Sequence, residues 1–453
     1  MRPVPPVPPV SPLSPVPPVS PMSSLSSLSS LSPVPIRPPV PTGPAATTTP
    51  PVIRRGEPMN APATGPDTGP DTARPASGAA TALDVVVHHY EPVKAPLLRE
   101  AVLPLARRAA AEGLTAHVER HWLHGPHLRL RLRGRPEAVA AAAERTAAEL
   151  RARAASHPSR ATADGERLLA QAAVAGRAEL IPPPYGPLVP DNTVRVEPVD
   201  LSSLNALIGP DGVRLREDLL ALGLPALQAG TAFLGERADT SAARIELVVA
   251  ALAAHAAAHP EGLVGGHYSY VSHLEDFLVQ EDREGRMRAA FDRRWDAAGE
   301  RISALVGRIA GGGAAGWERA WADWSAGAWR ITEERLRAGA DFTGVRAEYL
   351  DRAAALGDRA TVERWDRQVR TRYSDFHRRL HRSDPQGAMW SRPDYVVYRA
   401  CTNGLYRLLT ICDVRPVERY LAAHLVVRSV PELTGHRWQA RVDEVIAAVE
   451  GTP

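Results

Sequence analysis

Between Tyr268 and Leu278, helical spacing sets Ser269, Ser272, His273 and Asp276 along one side and leaves Leu274 with Phe277 or Leu278 to pack. An imidazole beside hydroxyls and carboxylates can take and return protons near neutral pH, so His273, Ser272 and Glu275 are candidate acid–base groups. A second stretch, Tyr395 to Cys412, repeats Tyr395, Arg399, Asn403 and Tyr406 or Arg407 at three- and four-residue steps, opposite Val397, Leu405 and Leu408. A tyrosine flanked by asparagine and arginine can donate to a developing oxyanion. Both stripes could equally serve as hydrogen bonds between packed helices. A third stretch is basic. From His127 to Arg133, apolar Leu128, Leu130 and Leu132 alternate with His127, Arg129, Arg131 and Arg133, so a strand here presents leucines to a core and cations to its other face. Such a row requires water, protein carboxylates or an acidic ligand opposite it.

The elements that must position these groups follow from pattern. Thr115 to Trp122 alternates His117, Glu119 and His121 with Val118, Arg120 and Trp122, and Leu123 to Pro126 reads as the tight turn of a hairpin. A strand from Leu83 to Tyr90 opens the body, a helix covers 95–112 up to Gly113, another runs from Pro136 to about Ser156, a third from Asp164 to Leu180, and Asn192 to Pro198 is a short strand. After Asp200 the pattern is almost wholly helical, with candidates at Arg214–Leu222, Ser241–His259, Tyr268–Gln280, Glu284–Ile309, Trp317–Ala338, Val345–Ala355, Val362–His381, Tyr395–Cys412, Pro416–Val427 and Arg437–Val449. The expected class is α+β, a small, mostly antiparallel sheet near the N-terminus of the body covered by a large helical layer.

Composition narrows the function. With 453 residues and 44% hydrophobic content the chain can build a large core, and its formal charge of +3, spread over helices that also carry Asp and Glu, gives no footprint for nucleic acid. No apolar run is long enough for a membrane span and no signal peptide is visible, so the expected location is cytoplasmic. Lys94 is the one lysine, and the arginine excess fits a GC-rich genome better than a function. Cys401 and Cys412, eleven residues apart on one expected helix, would lie about 16 Å apart and cannot bridge there. Residues 1–82 carry roughly half of the 43 prolines and none of the 15 histidines, and are expected to be a disordered Pro/Ser-rich tail. That tail is either a polyproline linker or the product of a start placed upstream of Met59. Residues 83–453 are expected to form one domain.

Three histidine groups have metal-like spacing: His121, His124 and His127; His255 and His259; His377 and His381. The first spans the hairpin turn, where a three-residue period is not expected to bring side chains together, and the other two lack an evident third ligand. No metal and no cofactor is expected. Phosphate-cradling P-loops and the Gly-x-Ser-x-Gly nucleophile elbow do not occur, and Gly311 to Gly313 mark a loop between two expected helices.

The opening Val85–Tyr90 run, the Arg120-to-Arg131 hairpin with its Gly125-Pro126-His127-Leu128-Arg129-Leu130-Arg131 core, Ser272 to Glu275, and Tyr398, Arg399, Asn403, Tyr406, Val414 to Pro416, Glu418 and Arg419 together resemble the lantibiotic dehydratase C-terminal domain, in particular its stand-alone, thiopeptide-type bacteriocin biosynthesis members. The resemblance covers about residues 83–430. It implies maturation of a ribosomally made precursor peptide carrying a leader, by one of two reactions. One is glutamate elimination from glutamylated Ser or Thr, the work of one half of a split lantibiotic dehydratase with a glutamylating partner. The other, pyridine synthesis, joins two dehydroalanines by a formal aza-[4+2] cycloaddition with loss of water and leader. Glutamate-eliminating members resemble one another in a histidine shortly before the asparagine of the late helix; Arg399, Ala400, Cys401 and Thr402 stand there instead, and Gly404 and Tyr406 look more like the pyridine synthases. The resemblance thus implies a lyase or cyclase with His273, Glu275, Ser272 and Tyr406 as catalytic candidates. Arg120, His127, Arg129, Arg131, Arg399 and Asn403 are the candidates for binding the peptide. A leader-binding scaffold without catalysis remains the third reading.

Overall fold

The computed structural model describes residues 81–451 except 163, 343–345 and 367–368. The expectation for residues 1–80 of the Pro/Ser-rich segment lies outside the described residues. β1 (Thr81–His88) opens the body, followed by a short α1 (Ala95–Leu97), one π turn (Leu98–Val102) and α2 (Leu103–Ala111). β2 (Thr115–His121) and β3 (His127–Gly134) make the hairpin, and α3 (Pro136–Ser156), α4 (Gly165–Glu179) and β4 (Val194–Pro198) follow. The remainder is helical: α5 (Ser202–Leu222), α6 (Leu224–Glu236), α7 (Ser241–Ala257), α8 (Gly262–Glu281), α9 (Arg286–Ala310), α10 (Trp317–Arg337), α11 (Arg346–Ala355), α12 (Arg359–Trp365), α13 (Asp375–Ser383), α14 (Pro393–Ile411), α15 (Pro416–Thr434) and α16 (Trp438–Glu450). The fold is α+β, as the patterning predicts.

The sheet runs β2-β3-β1-β4, with every neighbouring pair antiparallel. Register puts Leu128 opposite Val87, and Leu130 opposite both Val85 and Val118, so these side chains share one face, where α2 and α3 join them in a single apolar cluster. The opposite face carries Asp84, His117, Glu119, Arg129 and Arg131. Asp84, His117, Glu119 and Arg131 are buried there, and Arg129 is partly so. α5 lies over it: Arg216 grips Glu119 at 2.8 and 2.6 Å, and Glu217 accepts from Arg131 at 3.0 Å. The sheet is therefore covered on both sides, and on its charged face Arg131 and Glu119 are satisfied by ion pairs within the protein.

Helix starts explain the register of the late helices. Pro393 begins α14 and Pro416 begins α15, where a missing N–H costs nothing. Glu418 accepts from the Arg415 backbone N–H at 2.9 Å, closing a capping box. α15 is packed between α7, α8 and α9, and α14 between α10, α5 and the edge strand β2. Three expectations need correction. The helix foreseen at 362–381 is two elements, because Asp366 turns extended after α12 and Ser374 caps a fresh start at α13. The helix foreseen from Arg214 begins at Ser202 and bends at Gly209, whose φ of 72° lets it precede Pro210. α6 was not foreseen at all. Among the described residues no single helix is long and apolar enough to cross a membrane. Cys401 and Cys412 are free, buried thiols, and burial pushes the Cys401 thiol up to about 12.

Candidate functional site

α8 and α14 run side by side through their polar stripes. His273 Nδ1 and Tyr406 Oη are 3.0 Å apart, joining the two stripes across the helix interface. Above the Tyr406 ring, 4.3 Å from its centre, lies the guanidinium carbon of Arg419 from α15, which also covers Tyr420 at 4.8 Å. Burial, with a further contribution from Arg419, lowers His273 to about 3, so the imidazole is neutral at pH 7. Burial raises the Tyr406 phenol above its ordinary value although Arg419 works the other way, so the hydroxyl keeps its proton. A neutral phenol hydrogen-bonded to a neutral imidazole offers one proton and one lone pair at the same place. That is a bifunctional acid–base centre which need not become charged.

Ser272, next to His273 on α8, bonds a different partner: its Oγ is 3.0 Å from His377 Nε2 on α13. Glu275 points elsewhere, accepting two hydrogen bonds from Arg288 of α9 at 3.1 and 2.8 Å. Asp276 pairs with Arg370. The structure therefore brings His273 and Tyr406 together and sets Ser272 against His377, while the carboxylate of Glu275 is held by another guanidinium.

The six residues singled out for peptide binding divide in two. Arg120 is paired with Asp413. Arg131, 3% exposed, donates Nε and Nη2 to Asp84 at 2.8 and 2.9 Å and Nη1 to Glu217. His127 lies 2.8 Å from the Gly125 carbonyl through Nδ1 and accepts from Arg129 Nε at 3.0 Å through Nε2, which uses both ring nitrogens. His127 and Arg131 are thus buried on protein partners, and Arg120, partly exposed, is held by Asp413. Arg129, Arg399 and Asn403 are half-buried, and among the described residues no carboxylate pairs with Arg129, Arg399 or their neighbour Arg407. Arg399, Asn403 and Arg407 succeed one another at four-residue steps along α14; Arg399 and Arg407 lie near Tyr349 of α11, and Arg407 also near Arg216, Glu119 and Glu179. Burial beside Arg216 lowers Arg407 to about 10, which still leaves it cationic. A guanidinium without a carboxylate partner can take an anion or carbonyl oxygens.

Two features escaped sequence reading. His121 and His127 are register partners across the hairpin, with ring centres 5.5 Å apart, and His88 of β1 lies 4.9 Å from His127. Residues flanking a turn face each other whatever their sequence period, so the expectation that they stay apart is overturned. Among the described residues no three His, Cys, Asp or Glu side chains are grouped to hold a metal ion. The second feature is His377, noticed only for its spacing to His381 and found instead 105 positions along from its partner Ser272.

Comparison with known proteins gives the same architecture. No curated protein matches the sequence. Among solved structures, the pyridine synthase TbtD from thiomuracin biosynthesis is similar with a TM-score of 0.53 and 22% identity over 78% of this chain and 99% of that one. TsrL matches with a TM-score of 0.53 and 18% identity, covering 81% of this chain and 99% of its own. At those identities the likeness establishes the fold. The family model described as lantibiotic biosynthesis dehydratase C-term matches residues 83–411, which span the sheet, the His273 stripe and all of α14. The chain therefore belongs to the lantibiotic biosynthesis dehydratase C-terminal family.

Proposed function

We infer that this chain is a peptide-maturing cyclase, closing a six-membered nitrogen ring between two dehydroalanines of a ribosomally made precursor by formal aza-[4+2] cycloaddition, with loss of water and leader. The observation that carries this reading is the His273–Tyr406 pair. Ring closure requires a backbone amide to become its iminol, which takes a proton off nitrogen and puts one on oxygen with no net charge. A neutral imidazole bonded to a protonated phenol suits such a neutral exchange. The fold likeness to a pyridine synthase supports the same direction. Glutamate elimination fits less well. The glutamate-eliminating members that this chain would then resemble carry a histidine shortly before the asparagine of the late helix, where Arg399 to Thr402 stand here.

Arg129 and the Arg399–Asn403–Arg407 stripe bind the precursor in this reading, holding peptide carbonyls or leader carboxylates near the acid–base pair. The decisive experiment incubates the protein with a dehydroalanine-containing precursor and follows products by mass spectrometry. Release of the leader with a cyclised core is the expected result; loss of glutamyl adducts from a glutamylated precursor, with the dehydroalanine peptide untouched, would overturn it. Tyr406→Phe keeps the ring beneath Arg419 and removes one hydroxyl, so turnover should fall about 100-fold or more. Stability should change by about 1 kcal/mol. A scaffold without catalysis would instead show full pathway output from the Phe variant.

A further inference from the structure

Beside the His273–Tyr406 pair lies a second imidazole–hydroxyl pair. His377 sits in the first turn of α13, with Nε2 3.0 Å from Ser272 Oγ and Nδ1 2.7 Å from Ser374 Oγ. Ser374 is the N-cap of α13, and its oxygen accepts the backbone N–H of His377 at 3.3 Å. An oxygen that already accepts can turn its own hydrogen toward Nδ1. The ring proton then sits on Nε2 and is donated to Ser272 Oγ, which leaves the Ser272 hydroxyl hydrogen free to point away from the pair. Ser374 is buried, whereas Ser272 and His377 are half-buried, so this chain of three groups runs outward from the interior. It ends next to the acid–base centre, because Ser272 and His273 are consecutive on α8. Holding α13 to α8 would need one hydrogen bond, which an amide could make. An imidazole bonded at both nitrogens and ending on a reachable hydroxyl is built as a relay.

We propose that Ser272, backed by His377 and Ser374, is a second proton-transfer site that serves the loss of water after ring closure. This rests on the ring-forming reading given above. In that step the ring C–O bond breaks and its electron pair leaves on oxygen, which takes the Ser272 hydroxyl proton and departs as water. Ser272 recovers a proton from His377 Nε2. The carbon-bound ring proton released as the new double bond forms returns to the imidazole. Nothing is oxidised or reduced. Ser272 is the group that touches substrate, His377 acts through it, and Ser374 fixes the ring orientation.

The test uses the full chain and a precursor with two dehydroalanines, with thiol addition before mass spectrometry to count the alkenes that remain. For His377→Gln, and independently for Ser374→Ala, kcat should fall about 100-fold for Gln and less for Ala, with KM within about twofold of wild type. A leader-bearing species of unchanged precursor mass that no longer adds thiol should accumulate, because ring closure consumes both alkenes before water is lost. Imidazole in the buffer should speed its disappearance in His377→Gly. Wild-type kcat in a folded His377→Gln variant would overturn the relay, and so would stalling with both alkenes still thiol-reactive, which places the pair before ring closure. If the wild-type protein itself leaves both alkenes intact, the ring-forming reading falls and the relay with it.

Discussion

At the scale of single residues, the use of a guanidinium is decided by what lies opposite it. Arg131 and Arg129 are two positions apart on the same strand face, and the sequence offers no reason to separate them. Yet Arg131 completes a buried cluster with Asp84 and Glu217, 47 and 86 positions away, while Arg129 bonds only His127 among its neighbours. Arg131→Ala leaves two buried carboxylates uncompensated and should cost about 3–5 kcal/mol in denaturant unfolding. Arg129→Ala unpairs only the His127 ring nitrogen and should cost about 1–2 kcal/mol, less than Arg131→Ala, while weakening precursor binding, read by fluorescence anisotropy of a labelled leader. A reversal of these two results would show the binding cation to have been misassigned. His255 illustrates a different constraint. Thr402 Oγ1 donates to the Tyr398 carbonyl, so His255 Nε2, 3.0 Å from that hydroxyl oxygen, must carry the ring hydrogen, and Nδ1 is buried without a partner. Protonation would place an N–H against nothing, and burial lowers the group to about 3. The unfolded chain, with an ordinary imidazole near 6.5, takes up the proton first, so this stabilisation is complete above about pH 6.5 and declines as pH falls toward 3. Between pH 7 and pH 5 the loss should be about 2 kcal/mol. Urea titrations at the two pH values should show a dependence shallower by that amount in His255→Gln; equal slopes would sink the assignment.

Elements decide how closely the polar stripes approach. Gly266 sits on α8 one turn and a half before Ser272, where an added Cβ would come within 2.5 Å of the Ala256 Cα, 2.6 Å of the Ala256 carbonyl oxygen and 2.7 Å of the Tyr398 hydroxyl. Two of those atoms are backbone and cannot step aside. Gly266→Ala should therefore push α8 off α7, costing about 1–3 kcal/mol by overpacking. It should also lower turnover by moving His273 away from Tyr406, although residue 266 makes no contact with either. Unchanged turnover with a lowered melting point would show that the pair tolerates displacement. The same logic explains what was legible. β3 was readable because strict alternation has one solution, and α14 because its stripe repeats over four turns. α6 was not: Pro225, Gly230 and Gly235 weaken its helical pattern, whereas Gly230 in fact lets Leu247 and Trp321 approach where an added Cβ would come within 2.9 and 3.0 Å. His273 and Tyr406 were found through local pattern, and their meeting across 133 positions was not. His377 had no local pattern that tied it to Ser272.

On the scale of the whole molecule, distant segments are tied together where α14 ends. Asp413, in left-handed backbone at φ 61°, accepts the backbone N–H groups of Lys94 and Ala95 at 2.7 Å each and pairs with Arg120. One carboxylate thus fixes the start of α1 and the tip of the hairpin to the loop before α15. A chain ending at residue 411 lacks this anchor and all of α15, which contributes buried side chains between α7, α8 and α9. It should fail to unfold cooperatively, as measured by circular dichroism against denaturant; a sharp two-state transition would show the earlier segments to be autonomous.

That arrangement bears on birth as well as on stability. The partner of Lys94 is encoded 319 positions downstream. At ordinary elongation rates the amide groups at 94 and 95 leave the ribosomal tunnel roughly 15–60 s before their carboxylate does. Arrested nascent chains should accordingly stay sensitive to protease around residues 90–125 until Asp413 has emerged, and become resistant in a single step thereafter.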